Sequence, residues 1–232
     1  MRIVALHGQM GMASDWDAHA RGLARGGHLL EAVDLWRYLE GGKIGLEAFG
    51  EKLNKDQDDG QVLLGYSMGG RLALQALIDE PQKWKAAVII SAHVGLTREG
   101  RQARRIKDNE WASKVENLTW KEFLSEWNGQ GVLGNDVMPE RSALEASKVE
   151  ISRSYRCWSL AEQEDLIEKL ANIKIPILWV VGENDEKFCK QGERAASRLT
   201  DVKVLIVSNS GHRVPWEAEG ELTDAIGQWI TM

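Results

Sequence analysis

The sequence predicts an α/β fold: a mostly parallel sheet covered by helices on both faces, with a helical cap inserted between two core strands. Three observations carry that expectation. Short apolar runs rich in Val, Ile and Leu recur along the chain, and runs of this kind suit strands buried on both faces. Each run ends in glycine or small polar residues. Amphipathic segments of helical length separate them, and strand–helix alternation implies parallel pairing through crossover helices.

Taken in order, Ile3–Leu6 leads into His7-Gly8, and Val62–Leu64 into Gly65-Tyr66-Ser67. Ala86–Ile90 leads into Ser91-Ala92-His93, Ile175–Val181 into Gly182-Glu183-Asn184-Asp185, and Val202–Val207 into Ser208–His212. Helices are expected at about 14–25, 45–55, 68–79, 190–199 and 216–230. From about Gly95 to Leu170 no strong strand run occurs, while Trp111, Trp120, Trp127 and Trp158 recur among charged, helix-favouring residues. This interval, 95–170, is the expected cap. No repeat or linker marks a second domain, so 1–232 reads as one domain. The tryptophans could line a pocket or pack the core.

The 232 residues carry a net charge of −6, with 43% hydrophobic and 28% charged residues. An acidic balance argues against a nucleic-acid partner, because phosphate contacts need clustered Lys and Arg. The apolar run after Met1 is too short for a signal h-region, and no run approaches the roughly 18 residues that span a bilayer. Cys157 and Cys189 lack metal-ligand spacing and read as two free thiols. The expectation is a cytoplasmic protein with no metal or organic cofactor, no membrane and no nucleic acid; oligomeric state is not legible.

Gly65-Tyr66-Ser67-Met68-Gly69 matches G-x-S-x-G between an apolar strand and the helical pattern RLALQALI. That context defines the nucleophile elbow of the α/β-hydrolase fold, in which a strained turn lifts the serine hydroxyl above the sheet. A serine hydroxyl needs an adjacent imidazole to act at neutral pH. Of His7, His19, His28, His93 and His212, only His212 fits the final place in the order serine, acid, histidine. His93 also follows a strand and is the second candidate. His7 reads as shaping its loop, and His19 and His28 as solvated. Asp185, at a strand end, is the expected acid that orients the imidazole; Glu183 in the same loop is the alternative. The loop His7–Gly11 follows the first strand, where this fold supplies one oxyanion N–H. Gln9 and Met68 are assigned as backbone donors whose side chains matter little.

Arg71 lies four residues after Ser67 and so shares its helix face. Arg98, Arg101, Arg104 and Arg105 open the cap, and Arg156 follows beside Trp158. Guanidinium forks suit carboxylates, so arginines converging on one pocket point to a polyanionic small molecule.

The combination LHGQMG, GYSMGGRLAL, SAHVGL followed by RRIKDNEWA, then WSLAEQEDL, IPILWVVGENDEKF and SGH resembles the menaquinone-pathway lyase family 2-succinyl-6-hydroxy-2,4-cyclohexadiene-1-carboxylate synthase over nearly the whole chain. The resemblance implies Ser67, Asp185 and His212 as triad, and Arg71 and Arg104 as carboxylate ligands. A further family arginine has no clear counterpart; Arg141, Arg153 and Arg156 compete for it. The family often has His-Pro-Gly-Leu where this chain has His93-Val94-Gly95-Leu96, which bears on loop geometry and on the role of His93. The implied reaction eliminates pyruvate from an enolpyruvyl cyclohexene dicarboxylate, with Ser67 as general base. A carboxylesterase or thioesterase using an acyl-enzyme is the rival activity, and a non-catalytic binding protein on the same scaffold is a third reading.

Overall fold

The computed structural model describes residues 1–133 and 140–231. Strands β1 (Arg2–Leu6), β2 (Leu29–Val33), β3 (Gln61–Tyr66), β4 (Trp84–Ile90), β5 (Ile177–Gly182) and β6 (Val202–Val207) form one sheet in the order β2-β1-β3-β4-β5-β6. Every pairing is parallel, so all carboxyl ends share one edge. From β1 the chain steps outward to β2 and then back across to β3. Ligands of such sheets gather at the carboxyl edge beside that reversal.

The helices are α1 (Asp17–Ala24), α2 (Arg37–Glu40), α3 (Leu46–Asp56), α4 (Met68–Asp79), α5 (Arg98–Asn117), α6 (Trp120–Asn128), α7 (Lys148–Cys157), α8 (Ile167–Leu170), α9 (Glu186–Arg198), α10 (Val214–Glu217) and α11 (Glu219–Thr231). Between β4 and β5 the described residues hold α5 to α8 and no strand; 134–139, part of the interval read as a cap, lie outside the described residues. No helix among the described residues is long and apolar enough to cross a membrane.

Alternation along each strand builds two cores. Val4, Leu6, Leu63, Ala87, Ile89, Trp179 and Val181 face α3, α4 and α9 through Phe49, Leu53, Leu72 and Phe188. Ile3, Ala5, Val62, Leu64, Val88 and Val180 face α1 and α11 through Leu23, Leu222 and Ile226. Both faces are covered, which is why the central strands read as unbroken apolar runs.

Three expectations change. β2, Leu-Leu-Glu-Ala-Val, is an additional strand that the apolar runs did not reveal, because an edge strand with one polar position gives a weak pattern. The helix expected at 190–199 begins four residues earlier, directly after Asp185. His19 and His28 are buried, not solvated. His19 Nδ1 meets Thr223 Oγ1 at 2.7 Å and Nε2 meets the Pro215 carbonyl at 3.0 Å; it ties α1 to the C-terminal helices.

The turn from β3 into α4 presses against β1. A Cβ built on Gly69 would stand 2.4 Å from the carbonyl oxygens of Leu6 and His7, and backbone cannot yield as a flexible side chain can. Gly69→Ala should therefore cost about 1–3 kcal/mol, read as a lower urea midpoint. Gly41→Ala, where a Cβ meets nothing within 4 Å, should stay within about 0.5 kcal/mol of wild type.

Candidate active site

Ser67 stands between β3 and α4 with φ 53° and ψ −108°, in the left-handed region that side chains rarely occupy. Its backbone N–H donates to the Ile90 carbonyl at 2.8 Å and its carbonyl accepts from Arg71 N–H at 3.1 Å, so sheet and helix both hold the turn. The hydroxyl lies 3.0 Å from His212 Nε2. His212 Nδ1 lies 2.7 Å from Asp185 Oδ2. The imidazole packs on Phe188 (centroids 4.5 Å apart) and on Tyr66 (5.6 Å), which fixes its plane.

Two loops bring Asp185 to His212. Glu183 N–H donates to the Val207 carbonyl at 2.9 Å and Asn184 N–H to the Ser210 carbonyl at 2.8 Å. A Cβ on Gly182 would fall 2.1 Å from the Gly211 carbonyl oxygen, so only glycine permits this approach. Glu183, the alternative acid, points elsewhere and accepts from Asn209 N–H at 3.0 Å. His93 is not in the chain of contacts. Its Nδ1 accepts from Gly95 N–H at 3.0 Å, and burial, with Lys187 and Arg71 adding like-charge repulsion, pushes its imidazole down to about 3. It is a neutral wall of the cavity. Val94, where the family often has proline, donates its N–H to Gln191 Oε1 at 3.4 Å, a bond proline could not make.

The hydroxyl opens into a cavity of about 250 Å³ lined by Gln9, Ser67, Met68, Arg71, His93 and His212 on the sheet side. Helices α5, α6 and α7 close the other side with Arg104, Lys107, Trp111, Trp127, Tyr155 and Trp158. The first-turn amide of α4, at Met68, and the amide of Gln9 bond to no protein acceptor among the described residues. Both residues line the cavity, as two oxyanion donors would. The Gln9 side chain is not idle as expected: its Nε2 donates to Ser154 Oγ at 3.0 Å, joining the β1 loop to α7.

Arg71 is buried. It donates to the Trp158 carbonyl at 2.6 Å and to Gln163 Oε1 at 3.2 Å, and it has no carboxylate partner among the described residues. Burial pushes its guanidinium down to about 9, Arg104 adds to the shift and Asp108 opposes it. Arg104 donates its Nε to both oxygens of buried Asp108 at 2.8 Å, and Asp108 also accepts from Ser159 Oγ at 2.6 Å. Gln163 Nε2 in turn donates to the His93 carbonyl at 2.9 Å. The R-x-x-x-D-x-x-W and S-L-A-x-Q stretches thus form one polar frame around Arg71. An imidazole between a hydroxyl and a carboxylate can withdraw the hydroxyl proton, here beside concentrated positive charge.

The later arginines do not join it. Arg156, expected at the substrate, pairs with Glu116 at 2.6 Å and lines a separate surface groove; it follows Tyr155 on α7, and one step of a helix turns it away from the cavity. Arg141 is held by Asp15 at 2.7 Å, and Arg153 donates to the Leu39 carbonyl at 2.6 Å. Sequence reasoning missed Lys187, Lys107, Tyr155 and Ser154 in the wall. Lys187 and Phe188 were legible in G-E-x-D-x-K-F as a pattern without a role; Tyr155 gave no signal.

Residues 45–219 match the family model described as serine aminopeptidase, S33 (Hydrolase_4). A 2-succinyl-6-hydroxy-2,4-cyclohexadiene-1-carboxylate synthase of Citrobacter koseri is 30% identical over 176 residues, 73% of this chain and 68% of that protein. The protein of the same name from Salmonella newport is 29% identical over the same shares. Among solved structures, MenH from S. aureus superposes with a TM-score of 0.83 at 20% identity, over 100% of this chain and 93% of that one. Carboxylesterase CesB from Bacillus subtilis superposes at 0.69 and 17% identity, over 97% and 81%. Likeness at these identities shows a shared fold.

Burial also holds the His7 imidazole down, to about 4 from 6.5. Its Nδ1 lies 2.9 Å from the Gly8 carbonyl and its Nε2 accepts from Leu35 N–H at 3.1 Å. Because the folded values of His7 and His93 lie below 6.5, the fold favours their neutral forms. Their stability contribution is complete above pH 6.5 and is lost as pH falls towards about 4 and about 3. For His7 the loss is roughly 3 kcal/mol when complete. Urea midpoints should fall from about pH 7 to about pH 4.5, and fall less in His7→Gln, which keeps a donor and an acceptor without titrating.

Proposed function

This chain belongs to the 2-succinyl-6-hydroxy-2,4-cyclohexadiene-1-carboxylate synthase family within the α/β-hydrolases, and from that premise we propose that it is a carbon–oxygen lyase of menaquinone biosynthesis. Its substrate is 2-succinyl-5-enolpyruvyl-6-hydroxy-3-cyclohexene-1-carboxylate, from which it eliminates pyruvate. The proposed setting is the cytoplasm, with a small polycarboxylate as partner.

The observation that supports this most directly is Arg71. Among the described residues Arg71 has no carboxylate partner, and a guanidinium buried in this way costs several kcal/mol of desolvation. It stands on the cavity that holds Ser67, so a substrate carboxylate there completes its pairing. Arg104 adds a second cation on the same wall, with its Nε committed to Asp108 and the rest of its fork available to a ligand.

In the proposed step His212 takes the Ser67 hydroxyl proton, and Ser67 oxygen takes a ring proton as general base. The C2–H electron pair becomes a C2=C3 double bond, the existing C3=C4 pair shifts to C4=C5, and the C5–O bond to the enolpyruvyl group breaks. The leaving enol oxygen is protonated and tautomerises to pyruvate. Charge that develops on a conjugated oxygen is met by the Gln9 and Met68 amides and by the arginines; one such donor contributes about 2.7–4 kcal/mol in comparable sites. Asp185 keeps the imidazole oriented and stabilises its cationic form.

Pyruvate release from the enolpyruvyl substrate, followed in a coupled assay, tests the reading. Ser67→Ala should lower kcat by roughly 10³-fold or more. Arg71→Ala should lower kcat/KM by about 10²-fold, the cost of losing a buried charge-assisted contact. A folded wild-type protein that releases no pyruvate but turns over simple esters and is trapped by a fluorophosphonate would overturn it in favour of acyl transfer.

A further inference from the structure

His93 is carried by a loop that is held on several sides. Ser91 N–H donates to the Val180 carbonyl at 2.8 Å and Leu166 N–H to the Val94 carbonyl at 2.8 Å. Gln163 Nε2 donates to the His93 carbonyl at 2.9 Å. At Gly95, where φ is 127°, a Cβ would fall on the Glu164 carbonyl oxygen, so the loop is pinned between β4 and the segment before α8. A backbone fixed in this way fixes the direction of the side chain it carries.

The bonds of the ring decide what it offers. Gly95 N–H donates to Nδ1 at 3.0 Å, so Nδ1 is an acceptor. Burial, with Lys187, Arg71, Arg104 and Arg194 nearby, keeps the ring neutral. A neutral imidazole carries one proton, and with Nδ1 accepting, that proton sits on Nε2. Nε2 meets no acceptor of the protein among the described residues, and unlike the Trp158 indole nitrogen it is not sealed from access. The residue lines the cavity. A donor placed there calls for an acceptor that enters the cavity.

Two neighbours locate this donor. Phe188 meets the His93 ring edge-on, centroids 6.3 Å apart, and packs on the His212 imidazole at 4.5 Å, so His93 and the base share one wall. Gln163 joins His93 to Arg71, accepting from the guanidinium at 3.2 Å on its Oε1. The charges that act on the ring are cationic, so the acceptor drawn to it is an anion. A neutral N–H adds a directed bond to that anion without burying a further charge.

We propose that His93 donates its Nε2–H to the substrate carboxylate that pairs with Arg71, and so fixes the orientation of that carboxylate beside Ser67. This rests on the reading of the cavity as a carboxylate site. It makes His93 a binding residue in its own right, apart from Ser67, Asp185 and His212.

Two substitutions separate the ligand bond from the loop bond. His93→Asn keeps an acceptor for Gly95 N–H, since an Asn side chain bonds the amide two residues on, and it removes the donor at the Nε2 position. His93→Gln reaches that position with an N–H and gives up the Gly95 bond. Calorimetry with 2-(3-carboxypropanoyl)benzoate reads both without turnover. His93→Asn should bind this dicarboxylate roughly 10- to 100-fold more weakly than wild type, the range for a hydrogen bond to a charged group, and His93→Gln within about 3-fold. A role in the loop alone gives the opposite order. In the wild type, the His93 Nε2–H resonance should move on adding the ligand while Nδ1 stays an acceptor. Wild-type affinity in His93→Asn, a His93→Gln as weak as His93→Asn, an unmoved resonance, or no binding to wild type would overturn the proposal. Pyruvate release by the wild type reports separately on the lyase reading: a carboxylate bond that depends on His93 stands even where no pyruvate forms.

Discussion

Ser67 is held at φ 53° because two backbones are forced together: the start of α4 lies so close to the end of β1 that Gly69 has no room for a Cβ. The strain is local, and the sheet and helix around it over-determine the turn. Once β1, β3 and α4 are packed, the hydroxyl, the Met68 amide and the Gln9 loop must share one small volume above the carboxyl edge. The other strand ends deliver His93, Asp185 and His212 to the same edge. The parallel sheet is therefore the device that converts residues far apart in sequence into a single site.

Electrostatics at the site run against stability. Arg71 is charged and buried without a carboxylate partner among the described residues, and His93 and His7 are kept neutral by burial. The Arg71 charge destabilises the unliganded fold, and function is a common reason for such a group, whereas the two imidazoles cost stability only below pH 6.5. Arg71, which has no carboxylate partner among the described residues, faces the cavity together with Arg104, whose Nε is held by Asp108. Arg141, Arg153 and Arg156, which look equivalent in sequence, are satisfied elsewhere by Asp15, by backbone carbonyls and by Glu116.

The helices between β4 and β5 are bound to the sheet through polar contacts as well as apolar ones. Arg71 on α4 donates to the Trp158 carbonyl, Gln163 bridges Arg71 to the His93 carbonyl, and Gln9 donates to Ser154. Each of these bonds joins a wall of the cavity to the strand-end loops. The Gln9–Ser154 bond ties α7, and Tyr155 with it, to the loop after β1.

Much of this was legible in the order of residues. Apolar runs with turn residues behind them mark central strands, because a strand covered on both faces has no polar positions to spare. G-x-S-x-G between a strand and a helix, an acid after a late strand and Ser-Gly-His near the C-terminus identify Ser67, Asp185 and His212, because elbow geometry and strand order constrain both residue type and sequence position. Spacing placed Arg71 on the face of Ser67, since four residues make one helical turn. Tertiary structure alone decided that β2 is a strand, that His19 and His28 are buried, and that Arg156 faces outward. Those properties depend on which surface a neighbouring element covers and which partner stands across a gap, and the spacing of residues along one chain segment does not contain that information.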